Sequence, residues 1–408
     1  MADFSFLKTL DKPVAIFGYG VSGKAVAQAC EQAGVPFAVW DEQNNYGTDF
    51  SNHLEDYAFL VPSAGIKPTH QIIREAIAKH IPIYSDVDLL VQSAPDATVV
   101  AVTGTNGKST TTALIGFILE QAGKQVAVGG NIGKAACSLP SFGSDGIYVL
   151  ELSSYMLHNT ANPVADIAVH LNITPDHIDW HGSFEHYKAA KERIFRQRDN
   201  RAAQVRIYGV SSKPTEVDFS FIPPHDYLKG EHNRENMIAA FMACRACGVD
   251  DATILKHMAA FQGLAHRQKK VATYKNIAFV NDSKATNADA TSKALSSYDN
   301  IYWILGGVAK SDGINGLDVF YPNIKRAYLI GQASQEFARA LDGALPFMEC
   351  GDMQNAIENA FYDAMNDEQQ AVILLSPACA SFDQYKNFEE RGDDFAARVT
   401  QLLQERTA

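Results

Sequence analysis

At 408 residues the chain exceeds what one hydrophobic core organises, and a norm of about 150 residues per domain leads us to expect three domains. A net charge of −12 with no Lys/Arg run sets nucleic acid aside as a partner, so any anionic substrate must be gripped by local cations. No stretch of about 18 apolar residues occurs and MADFSFLKTLDKPVAIFGYG lacks a basic-then-apolar leader, so a cytoplasmic protein with no membrane partner is expected.

The chain opens with strand PVAIF, loop GYGVSG, helix KAVAQACEQAG and strand PFAVW, followed by Asp41. Gly18, Gly20 and Gly23 lie between a strand and a helix, with an acidic residue after the second strand, which is the pattern of a dinucleotide site. This segment, 1–92, has room only for a small α/β domain, and no second mononucleotide half follows it. A glycine-rich turn at a helix N-terminus presents outward N–H groups to any diphosphate. We therefore expect a diphosphate ligand other than NAD, with an NAD oxidoreductase as a competing class.

A second segment, 93–263, begins after DVDLLVQ with strand ATVVAVTG. Helix STTTALIGFILEQAG follows, with Gly123 as its C-terminal cap. Between them, TGTNGKST leaves only Thr105 and Asn106 between Gly104 and Gly107, shorter than the Walker spacing. The strand-loop-helix context still suits phosphate. Gly104 and Gly107 let the backbone curl, Lys108 can reach the outer phosphates, and Ser109 or Thr110 can touch Mg²⁺.

Downstream, strand IYVLE ends in Glu151, where a carboxylate can be delivered toward a metal. DIAVHLNITPDHIDWHG carries Asp176, His177, Asp179 and His181. The i,i+4 pair His177 and His181 lacks the H-E-x-x-H pattern and sits among oxygen ligands, so Mg²⁺ suits one histidine better than zinc does; capping or packing is the alternative. In SFEHYKAAKERIF, Ser183 reads as an N-cap and Lys191, by composition alone, as a solvated helix residue. Cys244 and Cys247 share one face of NMIAAFMACRACG and the other cysteines are scattered, so we expect free thiols and core packing, with no metal or redox role.

The third segment, 264–408, alternates strand NIAFVND, loop SKATNADAT, a helix, strand NIYWILGG, loop VAKSDG, strand RAYLIG, a helix, and strand AVILLSPA. The loop CASFDQYKNFEERG then leads into the last helix. Such alternation predicts a mostly parallel sheet with ligand loops beyond the strand ends.

GTNGKST, VGGNIG, YVLELSS, LNITPDHIDWHG, YKAAKERI, GEHNRENMIAA, GLAHR, VNDSKATN, GGVAK and SPACASFDQYKNFEERG, in this order through all three segments, resemble the Mur ligase family, and most of all its D-glutamate-adding member. The resemblance implies an α/β chain of three consecutive domains: N-terminal Rossmann-like, central P-loop ATPase-like and C-terminal Rossmann-like. It implies an ATP-dependent amide ligase of peptidoglycan precursor synthesis that works through an acyl phosphate. Its substrates would be UDP-N-acetylmuramoyl-L-alanine, D-glutamate and ATP, and the enzyme would be a monomer.

By the same resemblance, Gly104, Thr105, Asn106, Gly107, Lys108, Ser109 and Thr110 hold ATP with Asn233, Asn236, Arg267 and Asp282. Two Mg²⁺ ions would be held by Ser109 and Glu151 and by His177 and a carbamylated Lys191; Lys108, His177 and Lys191 would be catalytic. Gly20, Val21, Ser22 and Gly65 match the uridine diphosphate side, and Asn131 borders the reacting end. Lys284, Thr286, Lys310, Ser381 and Phe388 match the amino-acid pocket.

The chain also departs from the family. Glu42 and Gln43 replace a Thr-Arg pair near the uracil, Met156 replaces a glutamine, Phe382 replaces a leucine, and 192–229 is short and lacks an Asn-Asp-Asp strand, as a trimmed edge of the central domain would be. Two further functions compete: a sister ligase for another amino acid such as L-glutamate, and a nucleotide-binding module without ligase chemistry. The joint presence of Glu151, His177 and Lys191 speaks against the second, because binding alone needs no second metal site.

Overall fold

Short runs of β-branched and apolar residues, each closed by glycine or a polar turn, form three sheets in this computed structural model, which describes residues 3–198, 204–208, 220–225, 227–310 and 313–407. The first sheet contains β1 (Val14–Phe17), β2 (Phe37–Asp41), β3 (Tyr46–Gly47) and β4 (Phe59–Pro62) in the order β3-β2-β1-β4, parallel except for β2 with β3. Around it lie α1 (Val21–Ala33), α2 (Gln71–Ala78) and α3 (Asp86–Ser93).

The second sheet is parallel throughout: β5 (Thr98–Thr103), β6 (Gln125–Gly130), β7 (Gly146–Glu151), β8 (Ile167–His170) and β9 (Val205–Tyr208), ordered β6-β7-β5-β8-β9. Its helices are α4 (Lys108–Gln121), α5 (Ser154–Asn159), α6 (Ile178–His181), α7 (Phe184–Glu192), α8 (Glu231–Ala246) and α9 (Asp251–Ala260). Strands buried on both faces read as continuous apolar runs, and β7 is buried at every residue.

The third sheet runs β10-β11-β15-β12-β13-β14, with only β10 antiparallel to its neighbour. Its strands are β10 (Lys269–Tyr274), β11 (Ile277–Asn281), β12 (Ile301–Gly306), β13 (Ile324–Ile330), β14 (Phe347–Gly351) and β15 (Ala371–Leu375). The helices are α10 (Ala288–Leu295), α11 (Ser334–Leu341), α12 (Met353–Met365) and α13 (Phe388–Thr407).

The chain divides into two compact units, Met1–Pro223 with His232–Phe261, and Pro224–Glu231 with Gln262–Ala408. The first two sheets share the first unit, and α3 is the seam between them. At its N-terminus, where the helix dipole favours negative charge, Asp88 accepts from Asn162 N (2.8 Å) and Ala161 N (3.1 Å), and Asp86 accepts from Ala136 N (3.2 Å). Both carboxylates are buried.

The strand-helix alternation follows the sequence, with additions. Strand β4 completes the first sheet, β10 precedes NIAFVND, and both β14 and α12 stand between the RAYLIG helix and AVILLSPA. The shortened 192–229 stretch falls partly outside the described residues; its described part adds β9 as an edge strand on β8. Among the described residues no helix is long and apolar enough to cross a membrane.

Candidate active site

Because β5 lies between β7 and β8, its carboxyl end opens where ligands bind in parallel sheets. The loop that leaves it is braced from behind by Asn172. Asn106 N donates to Asn172 Oδ1 (2.9 Å), Asn172 Nδ2 donates to Asn106 O (3.1 Å), and Thr105 N donates to the Asn172 carbonyl (3.0 Å). Gly107 has φ +85°, and a Cβ there would lie 2.2 Å from Asn236 Oδ1, so only glycine lets this turn meet α8. Lys108 Nζ curls back to donate to Gly104 O (3.0 Å) and Thr105 O (2.8 Å). Ser109 and Thr110 are buried in the first turn of α4, and Asn236 Nδ2 donates to Asn233 Oδ1 (3.2 Å) within α8. The loop and the positive end of α4 together form an anion cradle.

Lys191 stands against this loop. Its reading as a solvated residue is corrected: α7 turns Tyr187, Ala190 and Lys191 inward, and Lys191 is 2% exposed. Its Nζ donates to Gly104 O (2.7 Å) and more loosely to Thr103 Oγ1 (3.4 Å), over the Tyr187 ring at 4.9 Å. Burial, and then the charge of Lys108, push its pKa well below the ordinary lysine value, while Asp176 and Glu151 pull the other way. Burial therefore favours the neutral amine over the ammonium at the phosphate loop.

Glu151, at the end of β7, is 2% exposed; its Oε1 accepts from Asn131 Nδ2 (2.8 Å), and its buried Oε2 has no hydrogen-bond partner. An unpaired buried oxygen costs about 1–3 kcal/mol, and a cation would relieve that cost. His177 caps α6 in a left-handed conformation (φ 53°), with its ring exposed beside Asp176 (3.4 Å) and Tyr155 (4.8 Å). His181 is buried instead and shares a hydrogen bond with Ser154 Oγ (3.0 Å), so the i,i+4 pair serves two different surroundings.

In the first sheet, Gly20 caps α1, Val21 is exposed and Ser22 bonds Asp86. A Cβ on Gly23 would meet Gly18 O at 2.1 Å, so the tight loop needs glycine for close packing. Gly65 O accepts from Trp180 Nε1 (3.1 Å), and Lys67 Nζ donates to Asp179 O (3.1 Å), which ties the first sheet's loops to the histidine loop. A cavity of about 600 Å³ opens there, lined among others by Tyr19, Glu42, Gln43, Gly65 and Lys67. Asp41 is engaged within its own loop by Tyr19 N (2.7 Å) and Asn44 N (3.0 Å), and Glu42 meets His70 Nε2 at 3.0 Å. Met156 is buried in the core.

The second unit gathers its predicted residues on loops beyond β11, β12 and β15. Asp282 accepts from Ser376 Oγ (2.8 Å) and Gln268 N (3.1 Å), and burial pushes its carboxyl up to about 7 against the pull of Ser376 and Arg267. Lys284 Nζ lies over the Phe388 ring at 5.3 Å, Ser381 is buried, and Thr286 is half-buried. Lys310 is exposed at the end of a loop zipped to the β15 loop by Val308 and Ala380, whose two N–H···O bonds measure 2.9 and 3.0 Å.

Arg391, which the sequence did not single out, holds these loops together. It donates from Nε to Ser283 Oγ (2.9 Å), and from Nη2 to Ser283 O (2.8 Å) and Cys379 O (3.0 Å). Its charge, beside Glu389 and Glu390 within NFEERG, gave no sign of burial. Cys244 is buried, and burial raises the Cys247 thiol to about 12, which fits packing.

The Mur ligase middle domain model matches residues 102–211. A UDP-N-acetylmuramoylalanine--D-glutamate ligase of Caulobacter sp. (strain K31) is 38% identical over 453 aligned positions, covering 96% of each chain. The ligases of the same name from Paramagnetospirillum magneticum (strain ATCC 700264 / AMB-1) and Brucella abortus (strain 2308) are each 40% identical, covering 95% and 96% of this chain and 96% of their own. An alignment of 453 positions against 408 residues means that the relatives carry stretches this chain lacks. Among solved structures, the MurC ligase of Thermotoga maritima (TM-score 0.58, 16% identity, 95% of this chain and 99% of that one) shares the fold. So does the MurF ligase of the same organism in complex with ADP (0.57, 16%, 100% of both). The chain belongs to the Mur ligase family, among the UDP-N-acetylmuramoylalanine--D-glutamate ligases.

Proposed function

We propose that this chain joins D-glutamate to UDP-N-acetylmuramoyl-L-alanine at the expense of ATP, as a cytoplasmic monomer. The observation that carries this is about 40% identity along nearly the whole chain to ligases of that name. A carboxylate is a poor acyl donor, so transfer of the ATP γ-phosphoryl to its oxygen first makes an acyl phosphate and releases ADP. The glutamate amine then attacks the carbonyl carbon, the C–O bond to phosphate breaks, and phosphate and a proton leave with the amide formed.

Residues 104–110 and Lys108 hold the transferring phosphates, with Asn233, Asn236, Arg267 and Asp282 gripping the rest of ATP. Glu151 and Ser109 fit one Mg²⁺, because an unpaired buried carboxylate oxygen and a hydroxyl are hard oxygen donors. Bound Mg²⁺ would supply charge neutralisation where two anions must meet. Burial favours the neutral form of Lys191, in which the amine can attack CO₂ and lose a proton, and the resulting carbamate would offer oxygen, with His177, to a second Mg²⁺. Gly20, Val21, Ser22 and Gly65 would hold the uridine diphosphate, and Asn131 the reacting end. Lys284, Thr286, Lys310, Ser381 and Phe388 would anchor both carboxylates of glutamate and leave its amine free. Three functional domains, 1–92, 93–263 and 264–408, divide these tasks. Phosphate release from ATP should require the UDP-linked acceptor and an amino acid together; rapid release with neither present would overturn the assignment.

A further inference from the structure

Helix α6 is a single turn, too short to hold its shape alone. It starts from His177 in the left-handed region (φ 53°), a conformation that persists where the surroundings impose it. Both sheets of the first unit contribute. From the second sheet, α5 shares a hydrogen bond between Ser154 Oγ and the His181 ring (3.0 Å) and sets the Tyr155 and His158 rings against Trp180, at 4.6 and 5.2 Å between ring centres. From the first sheet, the loop after β4 makes two bonds of opposite sense. Its Gly65 O accepts from Trp180 Nε1 (3.1 Å), and its Lys67 Nζ donates to Asp179 O (3.1 Å). Trp180 takes part in both grips, with its ring in one and its N–H in the other.

The β4 loop is fastened in turn to the glycine-rich turn. Ser63 N donates to Phe17 O (2.8 Å), Ser63 Oγ donates to Gly18 O (3.1 Å), and Ile66 N closes back on Ser63 O (3.0 Å). On the far side, Trp180 N and His181 N donate to His177 O (3.1 and 3.0 Å). Gly18, Gly20, Gly65 and Lys67 all line the cavity of about 600 Å³. A buried indole N–H needs some acceptor, so a bond from Trp180, at 7% exposure, would by itself be ordinary packing. Here, however, the acceptor is a carbonyl of an exposed loop on the other sheet, and Lys67 joins the same two segments in the reverse direction. Packing requires neither.

We propose that Trp180 is a positioning residue: its indole N–H holds the turn that carries His177 against the Gly65 loop, so that filling the cavity beside Gly65 stabilises the His177 turn. On the ligase reading, on which this rests, Gly65 meets uridine diphosphate.

The test uses the full chain with UDP alone, which lacks the acyl group that meets ATP, and follows amide exchange by mass spectrometry. Saturating UDP should slow exchange at Trp180, His181 and Gly182 by about fivefold or more in wild type, the lower end of ordinary coupling between sites. In Trp180→Phe, which keeps a ring and removes the donor, UDP should still bind and the turn should no longer respond. That variant should also lose about tenfold in kcat with its KM for ATP unchanged, as a displaced group at the reacting end would cause. Lys67→Met, an exposed substitution that leaves the core intact, should lose part of the UDP response. UDP bound to wild type without slower exchange in the turn, or an undiminished response in Trp180→Phe, would overturn the role of Trp180. Failure of UDP to bind wild type would overturn the ligase reading, and this role with it, so the binding isotherm tells the two failures apart.

Discussion

Lys191 in the first unit and Arg391 in the second are both buried, at 2% and 1% exposure, and both spend their donors on backbone carbonyls of ligand loops. They differ in what burial can do to them. For an ammonium, burial beside Lys108 favours loss of the proton, and the neutral amine is a nucleophile. A guanidinium resists: burial lowers Arg391 only to about 10, so it stays charged at neutral pH and keeps its fork of donors. The first is thereby a chemical handle at the phosphate loop. The second is a clamp on the loops after β11 and β15 and on the end of β12, while a third cation, Lys108, donates to carbonyls of its own loop. The contrast predicts that loss of each will damage a different property.

Lys108→Ala should have the largest effect on turnover, removing it while leaving the melting temperature near wild type, because the residue is on a ligand loop and outside the core. Unchanged kinetics would return GTNGKST to an ordinary turn. Lys191→Ala should lose about 10²-fold or more in kcat, the scale of one electrostatic stabiliser, and small carboxylates such as acetate should restore part of it. With ¹³C-bicarbonate, wild type should give a carbamate resonance that this variant lacks; its presence in the variant would place the carbamate elsewhere.

Arg391→Met should act the opposite way. Leaving buried carbonyls unsatisfied should cost roughly 3 kcal/mol in urea unfolding, and Arg391→Lys should not recover it, since an ammonium cannot reproduce the fork. A stable Arg391→Met variant with a normal KM for the amino acid would remove the clamp from the account.

The last effect concerns Asp282, whose folded carboxyl is raised to about 7. Native protein then holds a proton that the unfolded chain has lost, so this contribution to stability is full below the ordinary carboxylate range and fades as pH rises through 7. The slope should be at most about 1.4 kcal/mol per pH unit. Asp282→Asn should flatten that part of the stability-pH curve measured between pH 4 and 8; an unchanged curve would mean that Asp282 ionises normally.

What the sequence disclosed follows from the range of the interactions involved. TGTNGKST is contiguous, so the turn, the helix start and Lys108 were all readable locally, as were the apolar strands and the Ser183 cap. The burial of Lys191 was not readable, because it depends on β5 and the phosphate loop, far away in the chain; only resemblance flagged the residue. Arg391 went unnoticed for the same reason, its acceptors lying after β11 and β15 and at Gly306 O (3.4 Å), the end of β12. Strands β10 (KKVATY) and β14 (FMECG) are half-exposed edge strands whose polar residues hide their period. Asp41 was read as a possible dinucleotide acid, but its carboxylate is engaged by Tyr19 and Asn44, a local use that spacing cannot distinguish from a ribose contact.

The central claim is most directly tested by kcat/KM for D- and L-glutamate with UDP-N-acetylmuramoyl-L-alanine as the acceptor. Two anchored carboxylates fix the direction of the amine, and misalignment of the wrong enantiomer should cost about 10²-fold. The account predicts a preference for D-glutamate of that order, with phosphate release matching amide formed. Preference for L-glutamate or a diamino acid would contradict it.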